Sequence, residues 1–274
     1  MPLSEAKISV TDYGFLFGYG LFETLRAYGG NLFRLDDHLN RLNKSAERLA
    51  IPVNLVDLKK AVLETVRRNE FPEARIRLTI TIGKGSPAPD PGTCHKPTTL
   101  VTAAQYTPYP AEIYEKGFKA ITSFVRRNSL SLLPGMKTAC FLESLLARQQ
   151  ARVAGADDAL LLNDRGQLAE ASSCNVFLVI HNTLKTPDPE SGILPGITRR
   201  VVLELASELG IELIEADIQP EELTTADEAF LTNSLIEVMP LTAIDGKIIS
   251  SGKPGPVTRK LMTAYKNRVL KELR

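Results

Sequence analysis

In the stretch LLPGMKTACFLESLLARQQ (residues 132–150), a single lysine, Lys137, stands between a Pro-Gly break and a long apolar run. A lysine in a partly apolar setting keeps more of its amine neutral, and a neutral amine can form a Schiff base with a carbonyl. The ordinary alternative is a lysine whose stem lies along apolar surface with its charge in water. Glu170 follows 33 residues later (170 − 137 = 33), in LAEASSCNVF, at the end of an apolar strand and before a Ser-Ser turn. Its carboxylate could pair with a protonated ring nitrogen and strengthen an electron sink, or it could only cap the turn. LPGITRR places Gly196, Ile197 and Thr198 at a helix start, where open N–H groups and the helix dipole favour an anion and a threonine hydroxyl adds a donor. A plain N-cap is the competing role there. Arg41, on the first long helix, could offer a planar fork to a phosphate, although most helix arginines face water. Together these residues would suit one phosphorylated, nitrogen-containing cofactor.

Regular elements must bring them together. Leu35, Leu39, Leu42, Ala46 and Leu49 recur at helical spacing, with Asp36 or Asp37 placed to cap the start, and a second helix runs from 54 to about 69. ARIRLTITIG then alternates, with Ile76, Leu78, Ile80 and Ile82 on one face and Arg75, Arg77, Thr79 and Thr81 on the other. A Gly/Pro-dense loop (84–97) leads to the strand TTLVTAAQY, and the prolines of TPYPAEIYEKG mark a linker with a domain boundary near Pro110. Further on come the strand FKAITSFV, the Lys137 segment feeding a helix to about Val153, and the short strands DALLLN, QLAEAS and NVFLVI. A helix ending at Gly210, the strands IELIEADI, DEAFLTNS and IDGKII, and a last amphipathic helix complete the chain.

Bulk composition narrows the function classes. The 274 residues, 43% hydrophobic, can bury one large core or two modest ones. Thirty-three basic against 32 acidic residues leave a charge of +1 without a long like-charge run, which disfavours a duplex-tracking nucleic-acid binder. Cys94, Cys140 and Cys174 are widely spaced and lack histidines at ligand spacing, so neither disulfides nor a metal site is expected. No leader pattern opens the chain and no segment approaches about 18 consecutive apolar residues, so the expected setting is the cytoplasm, away from membranes, with a small-molecule partner.

Six blocks carry a family resemblance: DYGFLFGYGLFETLRAYGG, HLNRLNKSAERL, the lysine segment, EASSCNVF, GILPGITRR and ADEAFLTNSLIEVMPL. In order and spacing they resemble, over nearly the whole chain, the fold-type IV pyridoxal-phosphate enzymes: branched-chain and D-amino-acid aminotransferases and aminodeoxychorismate lyases. The resemblance implies an α+β, two-domain fold. A small N-terminal α/β domain (1–110) would precede a linker and a larger C-terminal mixed α/β domain with a barrel-like sheet (111–274). Pyridoxal 5'-phosphate would lie between the domains, and a homodimer would complete the site. On this resemblance Lys137 binds the cofactor covalently, Glu170 contacts the pyridine nitrogen, and Arg41, Ile197, Thr198 and Ser234 surround the phosphate. Some members place a tyrosine shortly after the lysine to reach the cofactor's phenolic oxygen. Here Phe141 stands there and cannot donate a hydrogen bond.

Reaction type is read from smaller differences. The Arg-x-His pair of bacillar D-amino-acid aminotransferases is missing from GSPAPDPGT, and the branched-chain motifs YIRP and TGTA are replaced by RIRL and TNSL. FETLR, VRRN and TNSLIEVMP look instead like bacterial aminodeoxychorismate lyases. The leading expectation is therefore a 4-amino-4-deoxychorismate lyase that releases pyruvate and 4-aminobenzoate for folate synthesis. A class IV aminotransferase acting on branched-chain or other L- or D-amino acids stands second, and a non-catalytic cofactor-binding relative third. Carboxylates on the amino substrate would need cationic or N–H partners, for which Arg26 and Arg77 are candidates. Asn233 could touch substrate or serve only in its turn.

Overall fold

The computed structural model describes residues 1–273, which fall into two compact units. The first comprises residues 1–107, 136–140 and 273. It holds α1 (Tyr13–Phe17), β1 (Gly20–Tyr28), β2 (Asn31–Leu32), α2 (Leu35–Arg48), α3 (Leu55–Asn69), β3 (Glu73–Thr81) and β4 (Thr98–Gln105), with the strands in the antiparallel order β2-β1-β3-β4. Leu21, Leu25 and Ala27 of β1 and Ile76, Leu78 and Ile80 of β3 share a core with Leu35, Leu39 and Leu42 of α2 and Leu58 and Val62 of α3. Each leucine, isoleucine or valine among them, fully withdrawn from water, contributes roughly 1.5–3 kcal/mol before entropy is counted. Asn54 caps α3 by accepting from the Val56 and Asp57 N–H groups at 3.0 and 3.3 Å. The cap expected of Asp36 or Asp37 does not form. The helix begins at Leu35 behind Arg34 in a left-handed conformation (φ 55), and both aspartates lie in its first turn, where they meet the positive end of its dipole.

The second unit comprises residues 108–135 and 141–272. The expected linker carries a short helix, α4 (Ala111–Lys116), which Pro110 precedes. Then follow β5 (Phe118–Arg127), α5 (Leu142–Val153), β6 (Asp158–Asn163), β7 (Leu168–Ala171), β8 (Asn175–Ile180), β9 (Thr183–Pro187), α6 (Ile197–Glu208), β10 (Leu213–Ala216), α7 (Glu222–Thr225), β11 (Glu228–Asn233), β12 (Glu237–Ile244), β13 (Lys247–Ile248) and α8 (Pro256–Glu272). Eight strands run in the order β10-β9-β8-β11-β12-β5-β6-β7, and β13 pairs with β12 as the ninth. Beyond β10, Ile218 bridges to Leu168 of β7, with the Leu168 N–H donating to the Ile218 carbonyl at 2.8 Å. The two ends of the sheet thereby meet, and the mixed α+β, barrel-like architecture implied by the motifs is the one formed. Leu160, Leu162, Val176, Leu178, Leu231 and Met239 fill its interior.

Among the described residues no helix is long and apolar enough to cross a membrane.

Candidate active site

In the first unit Lys137 sits on an extended bridge, five residues before the helix that its segment feeds. The Phe22 N–H donates to the Lys137 carbonyl and the Ala139 N–H to the Gly20 carbonyl, both at 2.8 Å, with Leu21 opposite Thr138. Lys137 therefore faces Phe22 across the pair and shares its side of the sheet. The lysine Nζ lies 4.8 Å from the centre of the Phe22 ring, and the Arg77 Cζ lies 3.8 Å from the same centre. Arg77 is half-buried, its Nε donates to the Thr79 hydroxyl at 3.2 Å, and it closes no ion pair among the described residues. Burial, and then the neighbouring Arg75 charge, lowers its pKa from the ordinary arginine value. A guanidinium so desolvated gains from an anionic ligand.

The opposite side of β1 carries a charge into the core. Glu23 is fully buried; Oε1 accepts from Arg41 Nε at 2.8 Å, and Oε2 from Arg41 Nη2 at 2.6 Å and His38 Nδ1 at 2.7 Å. His38 and Arg41, three residues apart, project from one side of α2. Burial pushes the Glu23 carboxyl up, but Arg41 and then His38 outweigh it and hold it at about 2. Burial pushes His38 down against the pull of Glu23, and the Arg41 and Lys137 charges add to the lowering. The imidazole is thus neutral at pH 7, and its Nδ1–H is assigned as the donor to Glu23. Glu23 takes two of the five N–H groups of Arg41 and fixes the plane of its fork.

The second unit assembles the other residues around a short loop. Glu170, on β7, receives Arg127 Nη2 on Oε1 and the Leu194 N–H on Oε2, each at 3.1 Å. Asn175 Nδ2 donates to the Leu194 carbonyl at 2.8 Å, and Asn175 pairs in register with Thr232 of β11. A Cβ at Gly196 would lie 2.1 Å from Asn175 Oδ1, so only glycine lets the loop approach this closely. α6 then starts with no side-chain cap, with Ile197 and Thr198 buried. The turn after β11 carries Ser234, and the buried Thr232 hydroxyl before it has no hydrogen-bond partner among the described residues. An uncapped helix start with the Thr198 hydroxyl in its first turn, and a cradle closed to side chains, fit a phosphate, and the Glu170 carboxylate fits a ring N–H.

Replacing Gly196 with alanine must displace Asn175 or the helix start. The dissociation constant for pyridoxal 5'-phosphate is expected to rise about tenfold or more, as for loss of one charge-assisted hydrogen bond. Pyridoxal, without the phosphate, should lose much less. Titrating the apoprotein with each compound measures the difference, and an equal loss for both would remove the phosphate assignment.

Two expected substrate residues have other partners. Arg26 is almost buried, pairs with Glu73 at 3.0 Å and lies against the rings of Tyr28 and Tyr106, with its Cζ 4.2 and 4.9 Å from their centres. The carboxylate it meets is the chain's own. Asn233 uses its Oδ1 on the Leu235 and Ile236 N–H groups at 2.8 and 2.9 Å, and its Nδ2 on the Ser173 carbonyl and Cys174 Sγ, so it is a turn residue. Phe141 stands just before α5, with an aromatic ring and no donor. The sequence reading missed Glu23, Phe22 and Arg127. A glutamate inside the apolar run GLFETL was the signal for the first.

A mixed α+β chain that closes a nine-stranded sheet and presents an uncapped, buried helix start is the frame of an enzyme working through a phosphorylated cofactor. Residues 20–244 match the amino-transferase class IV family, and the chain belongs to it. Its cofactor is accordingly pyridoxal 5'-phosphate. A Methanocaldococcus jannaschii protein provisionally named as a branched-chain-amino-acid aminotransferase is 42% identical, over 96% of this chain and 91% of its own length. The solved branched-chain aminotransferase of Thermoproteus uzoniensis with norvaline superimposes with a TM-score of 0.91 at 35% identity, covering 99% of this chain and 92% of that one. A Legionella pneumophila structure provisionally named as a 4-amino-4-deoxychorismate lyase follows at 26% identity and a TM-score of 0.89, covering 97% and 96%. These relatives favour the aminotransferase, placed second on the motifs, over the lyase placed first.

Proposed function

We propose that the protein transfers an amino group between a branched-chain amino acid and a 2-keto acid. The observation that carries this reading is the Phe22 ring, which lies beside both the Lys137 amine and the Arg77 guanidinium. An amine, an apolar wall and a cation on one side of a sheet suit a substrate with a hydrocarbon side chain and one carboxylate. Aminodeoxychorismate carries two carboxylates, and the second cation proposed for it, Arg26, is already paired with Glu73. The names of the M. jannaschii and T. uzoniensis relatives support the same choice.

When bound, the cofactor withdraws electrons from the carbon that bears the substrate nitrogen. The chain's own residues do the rest. Lys137 holds the cofactor and, once released, takes and returns the proton at that carbon. Glu170 accepts the ring N–H. The Ile197 and Thr198 N–H groups, the Thr198 and Ser234 hydroxyls and Arg41 bind the phosphate, and Arg77 orients the substrate carboxylate. Phe141 donates nothing to the phenolic oxygen, so that contact falls to a different group or to water. A homodimer draws support from α5, whose Leu142, Leu145 and Leu146 are exposed at helical spacing with Phe124 of β5 also exposed.

The test is a half-reaction. Mixed with L-leucine, L-isoleucine or L-valine and no keto acid, the holoenzyme should convert its cofactor to the pyridoxamine form, visible in the absorption spectrum. D-amino acids and aminodeoxychorismate provide the contrasting arms. Formation of 4-aminobenzoate with an unchanged spectrum in every amino-acid arm would replace this reading with the lyase.

A further inference from the structure

Arg127 is the last residue of β5 and is not among the residues assigned to cofactor or substrate. Its Nη2 reaches Glu170 Oε1 at 3.1 Å and donates to the Ser144 hydroxyl at 2.8 Å, while Nη1 donates to Glu143 Oε2 at 3.2 Å. Arg127 and Glu170 side chains are 12% and 9% exposed, and Glu143 is 56% exposed, so the inner pair is the desolvated one. Ser144 is buried, and Arg127 Nε is buried without a hydrogen-bond partner among the described residues. An arginine held this tightly with one N–H unsatisfied carries a cost that its inner carboxylate must offset.

The strand is shaped to deliver it. Between the pairs Thr122–Leu160 and Arg126–Leu162, β5 advances four residues while β6 advances two. Gln150 of α5 absorbs the irregularity: its Oε1 accepts from the Ser123 hydroxyl at 2.8 Å and the Phe124 N–H at 3.3 Å. Because the excess is even, side chains keep their sides, and Arg127 emerges toward α5 on the side where Glu170 stands opposite Leu161. A side-chain amide spent on the backbone of an irregular strand, followed at once by an arginine gripped by two α5 residues, is an arrangement that fixes one guanidinium.

We propose that Arg127 is a positioning residue for the reaction: it orients the Glu170 carboxylate and keeps it ionised, so that Glu170 meets the cofactor's ring nitrogen as an anion. The inference rests on Glu170 being the ring-nitrogen partner, as proposed above. An adjacent guanidinium favours the ionised form of a carboxylate, and the Leu194 N–H on the other oxygen fixes its plane. Without Arg127, the state in which the proton sits on Glu170 and the ring is neutral gains ground.

The readout is the ring nitrogen itself, in holoenzyme reconstituted with cofactor labelled with nitrogen-15 at the pyridine position. Arg127→Met should move its resonance toward the neutral-pyridine position and weaken cofactor binding about tenfold, and Arg127→Lys should recover part of both. Ser144→Ala, which loosens the arginine without touching Glu170, should move the resonance the same way by less. It decides the matter if Arg127→Met does not fold. A resonance unchanged in the folded arginine variant, or in Ser144→Ala where that variant is unfolded, overturns the proposal. Glu170→Gln separates the two ideas: if it leaves the wild-type resonance in place, the role of Glu170 itself is wrong.

Discussion

Lys137→Ala is expected to abolish conversion of the bound cofactor by amino acids, with the half-reaction slowed about a thousandfold or more. Proton transfer by a placed side chain alone contributes roughly 10²–10⁴-fold, and this substitution also removes the covalent attachment. The fold should survive, because the backbone of residue 137 holds the bridge to β1 through its carbonyl, and alanine keeps that carbonyl. Two measurements check the claim. Single-turnover spectra with L-leucine give the rate, and mass analysis after borohydride reduction shows whether cofactor remains attached to the chain. A variant within tenfold of the wild-type rate would end the assignment of Lys137.

The second large effect falls on stability. Glu23→Ala leaves Arg41 and His38 against an empty core position, and breaking a buried ion pair on one side costs about 3–5 kcal/mol. For a chain of this size, each kcal/mol shifts the melting temperature by roughly 2–4 °C, so a fall on the order of 10 °C is expected at pH 7. Because the folded Glu23 carboxyl is depressed from 4.5 to about 2, its stabilising contribution is complete above the unfolded value and is lost as pH falls between those values. His38 is also depressed, so its proton uptake below 6.5 favours the unfolded chain as well. Wild-type stability should therefore decline in two acid stages, of which the variant lacks the lower. Urea titrations across pH 2–8 test this, and a loss under about 1 kcal/mol at pH 7 would mean that the Glu23 cluster does not hold the unit together.

What the sequence made legible follows from burial. β3 alternates because one face is packed and the other is not, and its arginines appear where the alternation places them. β12 was missed because all eight of its residues are buried and it contains Pro240, so no period of two is visible. β1 is nearly as uniformly buried, and it hid Glu23, whose partners lie 15 and 18 residues away on α2. At the candidate site, Lys137, Glu170 and the helix start at Ile197 stood out in the sequence as candidates only, weak one by one, and it was the six blocks in register that joined them. Arg26 and Arg77 cannot be told apart by type or strand phase, since their difference is Glu73, which only the pairing of β1 with β3 brings alongside Arg26. The two readings of reaction type exchange rank for a related reason: a few loop residues resemble the lyases, while similarity over the whole chain favours the aminotransferases.

Residues 136–140 belong with the first hundred residues, although the chain on either side of them belongs to the second unit. Leu21 and Thr138, the bridged pair, are 117 positions apart (138 − 21 = 117). Closing so long a loop is slow and entropically unfavourable, and no local propensity of the PGMKTAC run can do it early. During synthesis the lysine must emerge before it can be seated, and a fragment starting after residue 107 would carry it with no strand to align on. Seating Lys137 therefore waits on a long-range closure, and a chain in which that bridge has not formed would hold its side chain out of place.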